Sequence, residues 1–149
     1  MIKIAHRGNI QGPNPAEENK PSYINKAIEA GYNVEVDVWS IEGKLFLGHD
    51  NPSYEVTLEF LNNDKFWCHC KNIEALEALL KEGVRCFFHD IDDATLTSDG
   101  FIWTYPGKQL TKKSICVMPE RDNWKIENNI AGVCSDYMDV LENILGENS

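Results

Sequence analysis

The feature that most constrains this chain is a series of short apolar segments separated by turn residues. Most are rich in β-branched or aromatic residues and are bordered by Gly, Pro, Asp or Asn, a pattern typical of β-strands. Several, such as Cys86-Phe87-Phe88, show no alternation of apolar and polar positions, which favours parallel strands buried on both faces. Eight strands are predicted, at residues 2–5, 33–38, 44–48, 66–70, 85–88, 101–104, 114–118 and 132–134.

Helical patterns lie between some of these strands. Apolar residues at helical spacing predict helices over residues 22–30, 73–81 and 137–145, and Gly31, Gly83 and Gly146 follow them. Alternation of strands and helices indicates an α/β fold with a parallel sheet. The connections after Phe88 and Tyr105 are too short for the dozen or more residues of a usual crossover. We therefore expect some outer helices to be missing, and the 44–48 strand to extend a hairpin.

Length and composition limit the class of protein. The 149 residues, 42% of them hydrophobic, predict a single globular domain over residues 1–149. The net charge of −10 argues against a nucleic-acid partner, which needs a basic face. No apolar run approaches the ~20 residues of a membrane span, and the N-terminal run is too short for a signal peptide. The five cysteines sit in apolar runs without metal-binding spacing, so we expect reduced, buried thiols in a cytoplasmic protein.

Polar side chains recur where the predicted strands end. Side chains that follow the carboxyl ends of parallel strands converge on one edge of an α/β fold. Histidines, an arginine and a lysine at such positions suit acid–base chemistry on an anionic group. The residues at these strand ends are His6, Arg7, Glu35, Asp37, His49, His69 and Lys71.

The acidic pair in this set predicts a cation site. Glu35 and Asp37 are two positions apart on a strand and therefore share a face, while valines occupy the other face. Two neighbouring carboxylates repel unless a cation lies between them, and Mg²⁺ or Ca²⁺ prefers such oxygen ligands. The plain alternative is a solvated polar strand face. The valine-rich partner face favours the buried interpretation.

Taken in order, the strand-end residues resemble the glycerophosphodiester phosphodiesterase family, within the phosphatidylinositol phospholipase C-like phosphodiesterases. That family carries His-Arg-Gly after its first strand, Glu-Asn before a helix, Glu-x-Asp on the second strand and then His-Asp. The resemblance covers roughly the first third of the chain. The matching segments are Ala5-His6-Arg7-Gly8, Glu18-Asn19-Lys20, Ala27-Ile28-Glu29-Ala30-Gly31, Val34-Glu35-Val36-Asp37-Val38 and Gly48-His49-Asp50.

The resemblance implies a reduced (β/α) TIM-type barrel and metal-dependent phosphodiester hydrolysis in lipid metabolism. By resemblance, His6 and His49 form the general acid/base pair, and Glu35 and Asp37 bind the metal. Arg7 contacts the phosphate, with Lys71 as a second phosphate-binding cation. Glu18 and Glu120 are expected to support the site, Glu120 as a further carboxylate near the metal.

Two departures from the family pattern affect these expectations, and the first is Lys20, which stands where the family usually has Thr. The family's third metal ligand is a Glu, and His69 stands in its place, which admits Mn²⁺ or Zn²⁺ beside Mg²⁺ or Ca²⁺. This substitution leaves open a non-catalytic phosphate- or metal-binding module on a decayed barrel. A related phospholipase or lyase that forms a cyclic phosphate also stays open. Near the end of the chain, Asp136 echoes a strand-end Asp of the family.

The chain is short for such a barrel. A (β/α)₈ barrel typically takes ~250 residues, against 149 here. Strand faces such as those of Phe87 and Ile102 would then lack helical cover, and for that reason we expect a homo-oligomer.

Overall fold

A computed structural model describes residues 1–147 of the chain, and in it the short apolar segments form strands. All eight predicted strands are present, with boundaries shifted by a few residues at most. The strands are β1 (Ile2–His6), β2 (Asn33–Ile41), β3 (Lys44–Leu47), β4 (Tyr54–Val56), β5 (Phe66–Cys70), β6 (Cys86–Phe88), β7 (Ala94–Leu96), β8 (Ile102–Thr104), β9 (Ser114–Val117) and β10 (Gly132–Ser135).

The three predicted helices are also present, and two short helical elements join them. Pro21 begins α1, where its missing N–H costs nothing, and Asn72 caps α3 by accepting a hydrogen bond from the Ala75 N–H (3.0 Å). The helices are α1 (Pro21–Glu29), α2 (Leu58–Leu61), α3 (Ile73–Lys81) and α4 (Met138–Glu147), with a 3₁₀ turn at Pro119–Asp122.

The strands form one mixed sheet. Seven of them are parallel neighbours in the order β6-β5-β2-β1-β10-β9-β8. The far end of β2 continues past β5 and pairs antiparallel with β3, which pairs with β4. At the other side, β7 returns antiparallel along β8. The hairpin that β3 forms with β2 confirms the expectation for residues 44–48.

The predicted reduced (β/α) TIM-type barrel is wrong, because the chain forms a ten-stranded mixed sheet with four short helices. The physical reason is the length of the connections. Of the α-helices that connect parallel neighbours, only α1 and α3 are longer than one turn, because α2, between β2 and β5, has four residues. No crossover helix follows β6 or β8. The segment after β6 contains the antiparallel strand β7, and the segment after β8 is a loop.

Both faces of the sheet are covered. On one face, helical residues such as Ile24, Leu79 and Leu141 pack against strand residues such as Val36. The opposite face buries a second cluster, made of Ile4, Trp67, Phe87, Trp103, Ile115, Val117, Met118 and Cys134.

The second cluster is rich in aromatic rings and holds distant strands together. The rings of Trp67 and Trp103 lie 5.9 Å apart, and those of Phe87 and Trp103 lie 4.7 Å apart. At the same side of the sheet, the Ser98 N–H donates to the Cys86 carbonyl (2.8 Å). Phe87 is therefore buried within the chain itself, and its burial does not require a second copy. Self-association stays a prediction.

Two further expectations concern residues 1–147. All five cysteines are free and buried, as predicted. None of the helices in this part of the chain combines the length and apolar character that crossing a membrane demands.

Candidate metal centre and acid–base site

The register of three parallel strands brings the strand-end residues together. His6 on β1 lies opposite Glu35 on β2, and Asp37 on β2 lies opposite His69 on β5. Since side chains two positions apart share a face of a strand, His69 projects on the same side as Trp67 of the aromatic cluster. That cluster forms the floor beneath the site.

Glu35, Asp37 and His69 form a cluster that could hold a metal ion. One ligand atom from each residue lies within 4.8 Å of the others. His69 Nδ1 is 3.3 Å from Asp37 Oδ1 and 3.7 Å from Glu35 Oε2. Both carboxylates are almost completely buried, at 2% and 1% exposure. Buried carboxylates this close need compensating positive charge.

The two oxygens of Asp37 have different environments, and the difference favours a cation. Asn19 Nδ2 donates to Oδ2 (2.9 Å), and Arg7 Nε lies 3.3 Å from the same atom. Oδ1 is buried and accepts no hydrogen bond from the described residues, and its charged neighbour is the ring of His69, with Nδ1 at 3.3 Å. A buried carboxylate oxygen without a donor is costly unless a cation meets it. The cluster therefore fits a divalent ion, with Oδ1 as one ligand.

Asn19, the second residue of the Glu18-Asn19 pair, positions Asp37 through its side chain. Its backbone has a left-handed φ of 67°, and its side-chain oxygen also accepts from the Asp37 N–H (3.0 Å). Asn tolerates this conformation better than most residues. The two hydrogen bonds fix the Asp37 carboxylate relative to its strand.

His6 is held by a carboxylate at each ring nitrogen. Nδ1 lies 2.7 Å from Asp136 Oδ1, and Nε2 lies 3.8 Å from Glu35 Oε1. Asn9 Nδ2 also donates to Asp136 Oδ1 (2.9 Å). Glu120 accepts from the Asp136 N–H (3.1 Å). An acceptor at Nδ1 sets the orientation of the imidazole ring and stabilises its protonated form.

Glu120 therefore supports the site in a different way from the one predicted. Its carboxylate binds the Asp136 backbone and accepts from the Ser135 hydroxyl (2.8 Å). Glu120 does not belong to the Glu35, Asp37 and His69 cluster found among the described residues, and its suggested role as a carboxylate near the metal stays a prediction.

Arg7 connects the acidic residues to His49. It donates from Nη1 to Glu18 Oε1 (3.1 Å), and Nη2 lies 2.7 Å from His49 Nδ1. Its backbone φ is 56°, so the chain turns as soon as β1 ends, and its N–H donates to the Glu35 carbonyl (2.9 Å). Glu18 also accepts from Asn9 Nδ2 (3.1 Å), and its supporting role stays a prediction.

His49 lies at the exposed rim of the site. Gly48 precedes it with a φ of 154°, and a side chain there would collide with the Asn51 carbonyl oxygen. Trp39 Nε1 donates to the Gly48 carbonyl (2.6 Å) and so anchors this turn. His49 Nδ1 is 3.5 Å from Asp37 Oδ2. The His49 side chain is 42% exposed, in contrast to 15% for His6.

Proton affinities in the site follow its charge distribution. Burial lowers the pKa of His69, but Asp37 and Glu35 outweigh burial and raise it to about 9. Burial raises the pKa of Asp37, yet His49, His69 and Arg7 hold it well below its usual value. Burial likewise lowers the pKa of His6, and Glu35 and Asp136 reverse the effect to a net rise. The cluster thus attracts positive charge, whether a proton or a metal ion.

A cavity of about 180 Å³ opens above these residues. Sequence reasoning missed the opposite wall, where His89 stacks on Tyr105 with ring centroids 3.8 Å apart, and it missed Arg121. The cavity is lined by His6, Arg7, Glu35, His49, His69, His89, Trp103, Tyr105, Pro106, Val117, Met118 and Arg121.

Lys71 is the predicted phosphate-binding residue that lies outside the cavity lining. It does not line the cavity, and within residues 1–147 its ammonium group makes no ion pair. The prediction that Lys71 binds the phosphate is therefore not supported by its position. The physical reason is that β5 ends at Cys70, whose side chain is buried with the helical layer, and Lys71 follows outside the strand.

Comparisons with known proteins add no name to this geometry. No family model, no curated protein and no solved structure matches the chain. The site must be interpreted from its own residues.

Proposed function

We propose that this protein is a metal-dependent phosphodiesterase that hydrolyses glycerophosphodiester-like substrates. The observation that carries the proposal is the buried Glu35–Asp37–His69 cluster, in which Asp37 Oδ1 accepts no hydrogen bond. Glu35 and His69 of this cluster line the same cavity as His6 and His49. A cation site next to two imidazoles suits hydrolysis of an anionic ester. The order of strand-end motifs described above supports the choice of a glycerophosphodiester.

The donor set favours a metal that accepts both oxygen and nitrogen. Glu35 and Asp37 offer carboxylate oxygens, and His69 offers Nδ1. Imidazole suits transition metals, whereas Mg²⁺ and Ca²⁺ prefer oxygen ligands alone. Mn²⁺ and Zn²⁺ are therefore the first ions to test. A bound ion would supply Lewis-acid stabilisation of the phosphoryl oxygens.

The two histidines take opposite roles in proton transfer. Carboxylates lie on both sides of His6, so its protonated form is stabilised, and its Nε2–H donates the proton to the leaving alkoxide. His49, at the exposed rim, takes the proton from the attacking water. The new P–O bond forms as the P–O bond to the alcohol breaks, so the products are a phosphomonoester and an alcohol.

Arg7 is a positioning residue in this scheme. Its guanidinium is fixed by Glu18 and by Asp37, and Nη2 contacts the ring of His49. An arginine donates hydrogen bonds only, so the His49 nitrogen that faces Arg7 accepts. The contact places the one lone pair of neutral His49 on the nitrogen that faces Arg7, so the attacking water must replace Arg7 at this nitrogen before His49 takes its proton. Arg7 also contributes positive charge for the substrate phosphate, as the resemblance implies.

Activity assays with single variants test the proposal. Purified protein with Mn²⁺, Zn²⁺, Mg²⁺ or Ca²⁺ should release an alcohol from glycerophosphodiesters, and EDTA should stop the release. His6→Ala and His49→Ala should each lower turnover by about 10²- to 10⁴-fold. The metal-induced rise in melting temperature should persist in both variants, which shows that they fold and bind the ion. Turnover unchanged in both variants would refute the roles given to the histidines.

The products separate the remaining alternatives. A cyclic phosphate would indicate attack by an internal hydroxyl of the substrate, as in a phospholipase or lyase, instead of attack by water. Phosphate-ester binding without turnover under any of the four metals would indicate a binding module. For the cellular site, the five free cysteines support the cytoplasm as part of this proposal.

A further inference from the structure

The cavity contains two arginines with very different surroundings. The charge of Arg7 is already matched by the carboxylates of Glu18 and Asp37. Arg121, an exposed residue that lines the same cavity, forms no ion pair or side-chain hydrogen bond with any residue of the 1–147 range. Its guanidinium therefore keeps its full capacity to bind an anion.

The backbone around Arg121 is closely defined by the end of β9. Met118 adopts a left-handed conformation with a φ of 51°, and its N–H donates to the Cys134 carbonyl (2.7 Å). The 3₁₀ turn Pro119–Asp122 begins at a buried proline, and the Trp124 N–H donates back to the Pro119 carbonyl (2.8 Å). These bonds hold the turn against the sheet, so that Arg121 borders the cavity.

A phosphodiester needs a cation at this wall. Glu35 and Asp37 place two negative charges in the site. A divalent ion bound there would neutralise both carboxylates and leave little net positive charge to attract the negative phosphate of the substrate. A guanidinium offers a planar pair of N–H donors that matches two phosphate oxygens, and it stays protonated at any pH of interest. Arg121, an unpaired arginine in the lining of the cavity, is therefore suited to bind the phosphate oxygens.

We propose that Arg121 binds the non-bridging phosphate oxygens of the substrate and takes the role that the sequence suggested for Lys71. The inference rests on the proposed function, but phosphate binding at this subsite can be measured without turnover of a diester. The ligand class is a phosphate ester or free phosphate whose oxygens face the cavity.

Calorimetric titration with inorganic phosphate tests the subsite directly. The titration is run on metal-free and on Mn²⁺-loaded protein. Arg121→Gln should weaken phosphate binding about tenfold or more, since it removes a charge-assisted pair of hydrogen bonds. Arg121→Lys should bind with intermediate affinity. Lys112→Gln removes the same charge from an exposed position outside the cavity and should leave binding unchanged.

The outcomes distinguish this inference from the proposed function. Loss of phosphate binding in Arg121→Gln, in a protein without phosphodiesterase activity, would keep the subsite and refute the enzyme. In an active protein, the same variant should lower kcat/KM for the diester about tenfold or more. The inference is overturned by wild-type affinity for phosphate in Arg121→Gln, by a loss seen in Lys71→Gln in its place, or by wild-type protein that binds no phosphate in either state.

Discussion

The Nδ1 atom of His6 lies 2.7 Å from Oδ1 of Asp136, although the two residues are 130 positions apart in the sequence. The contact joins the ends of β1 and β10, which are neighbours in the sheet. Asn9 donates to the same oxygen, so Asp136 is fixed as well as charged. We interpret Asp136 as the residue that orients His6 and stabilises its imidazolium form.

Removing the charge of Asp136 should change the pH dependence of the reaction. His6 must be protonated to act as the acid, so activity is lost as the pH rises through its pKa. Asp136 is among the groups that raise that pKa, and Asp136→Asn should therefore move the alkaline limb of the kcat/KM profile to lower pH. The measurement is kcat/KM against pH for the variant and the wild type.

The control for this prediction is Asp139→Asn, which removes the same charge from an exposed residue of α4. Its profile should match that of the wild type. An alkaline limb that stays in place in Asp136→Asn would contradict the role given to Asp136, whatever the change in absolute rate.

Metal binding should stabilise the folded protein through Asp37. An ion at a hundred times its dissociation constant stabilises the folded state by about 2.7 kcal/mol, which for a chain of this size corresponds to a rise in Tm of about 5–10 °C. Asp37→Asn should abolish most of this rise, because Oδ1 is the carboxylate oxygen left without a donor. Thermal unfolding with Mn²⁺ and with EDTA measures it. Asp64→Asn, at an exposed position, is the matched control, and an equal Tm rise in Asp37→Asn and Asp64→Asn would count against the cluster.

The affinity for Mn²⁺ should increase with pH. His69 has a pKa of about 9 in the metal-free protein, so near neutral pH an ion that binds Nδ1 must displace a proton. Below that pKa, each unit of pH should strengthen binding about tenfold, with one proton released per ion. Calorimetry in buffers of different ionisation enthalpy counts the protons. Affinity that does not change between about pH 6 and 8 would remove His69 from the ligand set.

Two neighbouring leucines of α3 test how that helix packs on the sheet. Leu79 is fully buried, whereas Leu80 is 51% exposed. Leu79→Ala should lower the free energy of unfolding by about 2–5 kcal/mol, and Leu80→Ala by at most about 0.5 kcal/mol. Urea unfolding of both variants provides the comparison. Equal losses would mean that α3 packs in another orientation.

Much of the fold could be predicted from local sequence patterns. Strands such as β5 and β9 are largely apolar, and α3 has an apolar stripe between an Asn cap and a closing glycine. The strands β4 and β7 were missed because each mixes polar and apolar residues over three positions, too few for an alternation to show. The arrangement was wrong for a different reason. Strand order depends on which edges meet in space, and the antiparallel pairing of β7 with β8 is not encoded in either segment alone.

The candidate site was predictable where it lies on strands and less so where it lies on loops. Glu35 and Asp37 follow from the two-residue period of β2, and His69 from its place at the end of β5. Arg121 has no such signal, because its position depends on a 3₁₀ turn after a left-handed Met118. The position of the Lys71 side chain could not be predicted either, because the residue that follows a strand end has no fixed side-chain direction.

The most direct test of the central claim is a ³¹P NMR time course of a glycerophosphodiester with the wild-type protein. With Mn²⁺ present, the diester signal should decay while a phosphomonoester signal grows, and with EDTA both should stay constant. The same spectra would show a cyclic phosphate if one formed. A diester signal that stays unchanged under Mn²⁺, Zn²⁺, Mg²⁺ and Ca²⁺, in protein shown to bind the ion, would contradict the claim that this site is a metal-dependent phosphodiesterase.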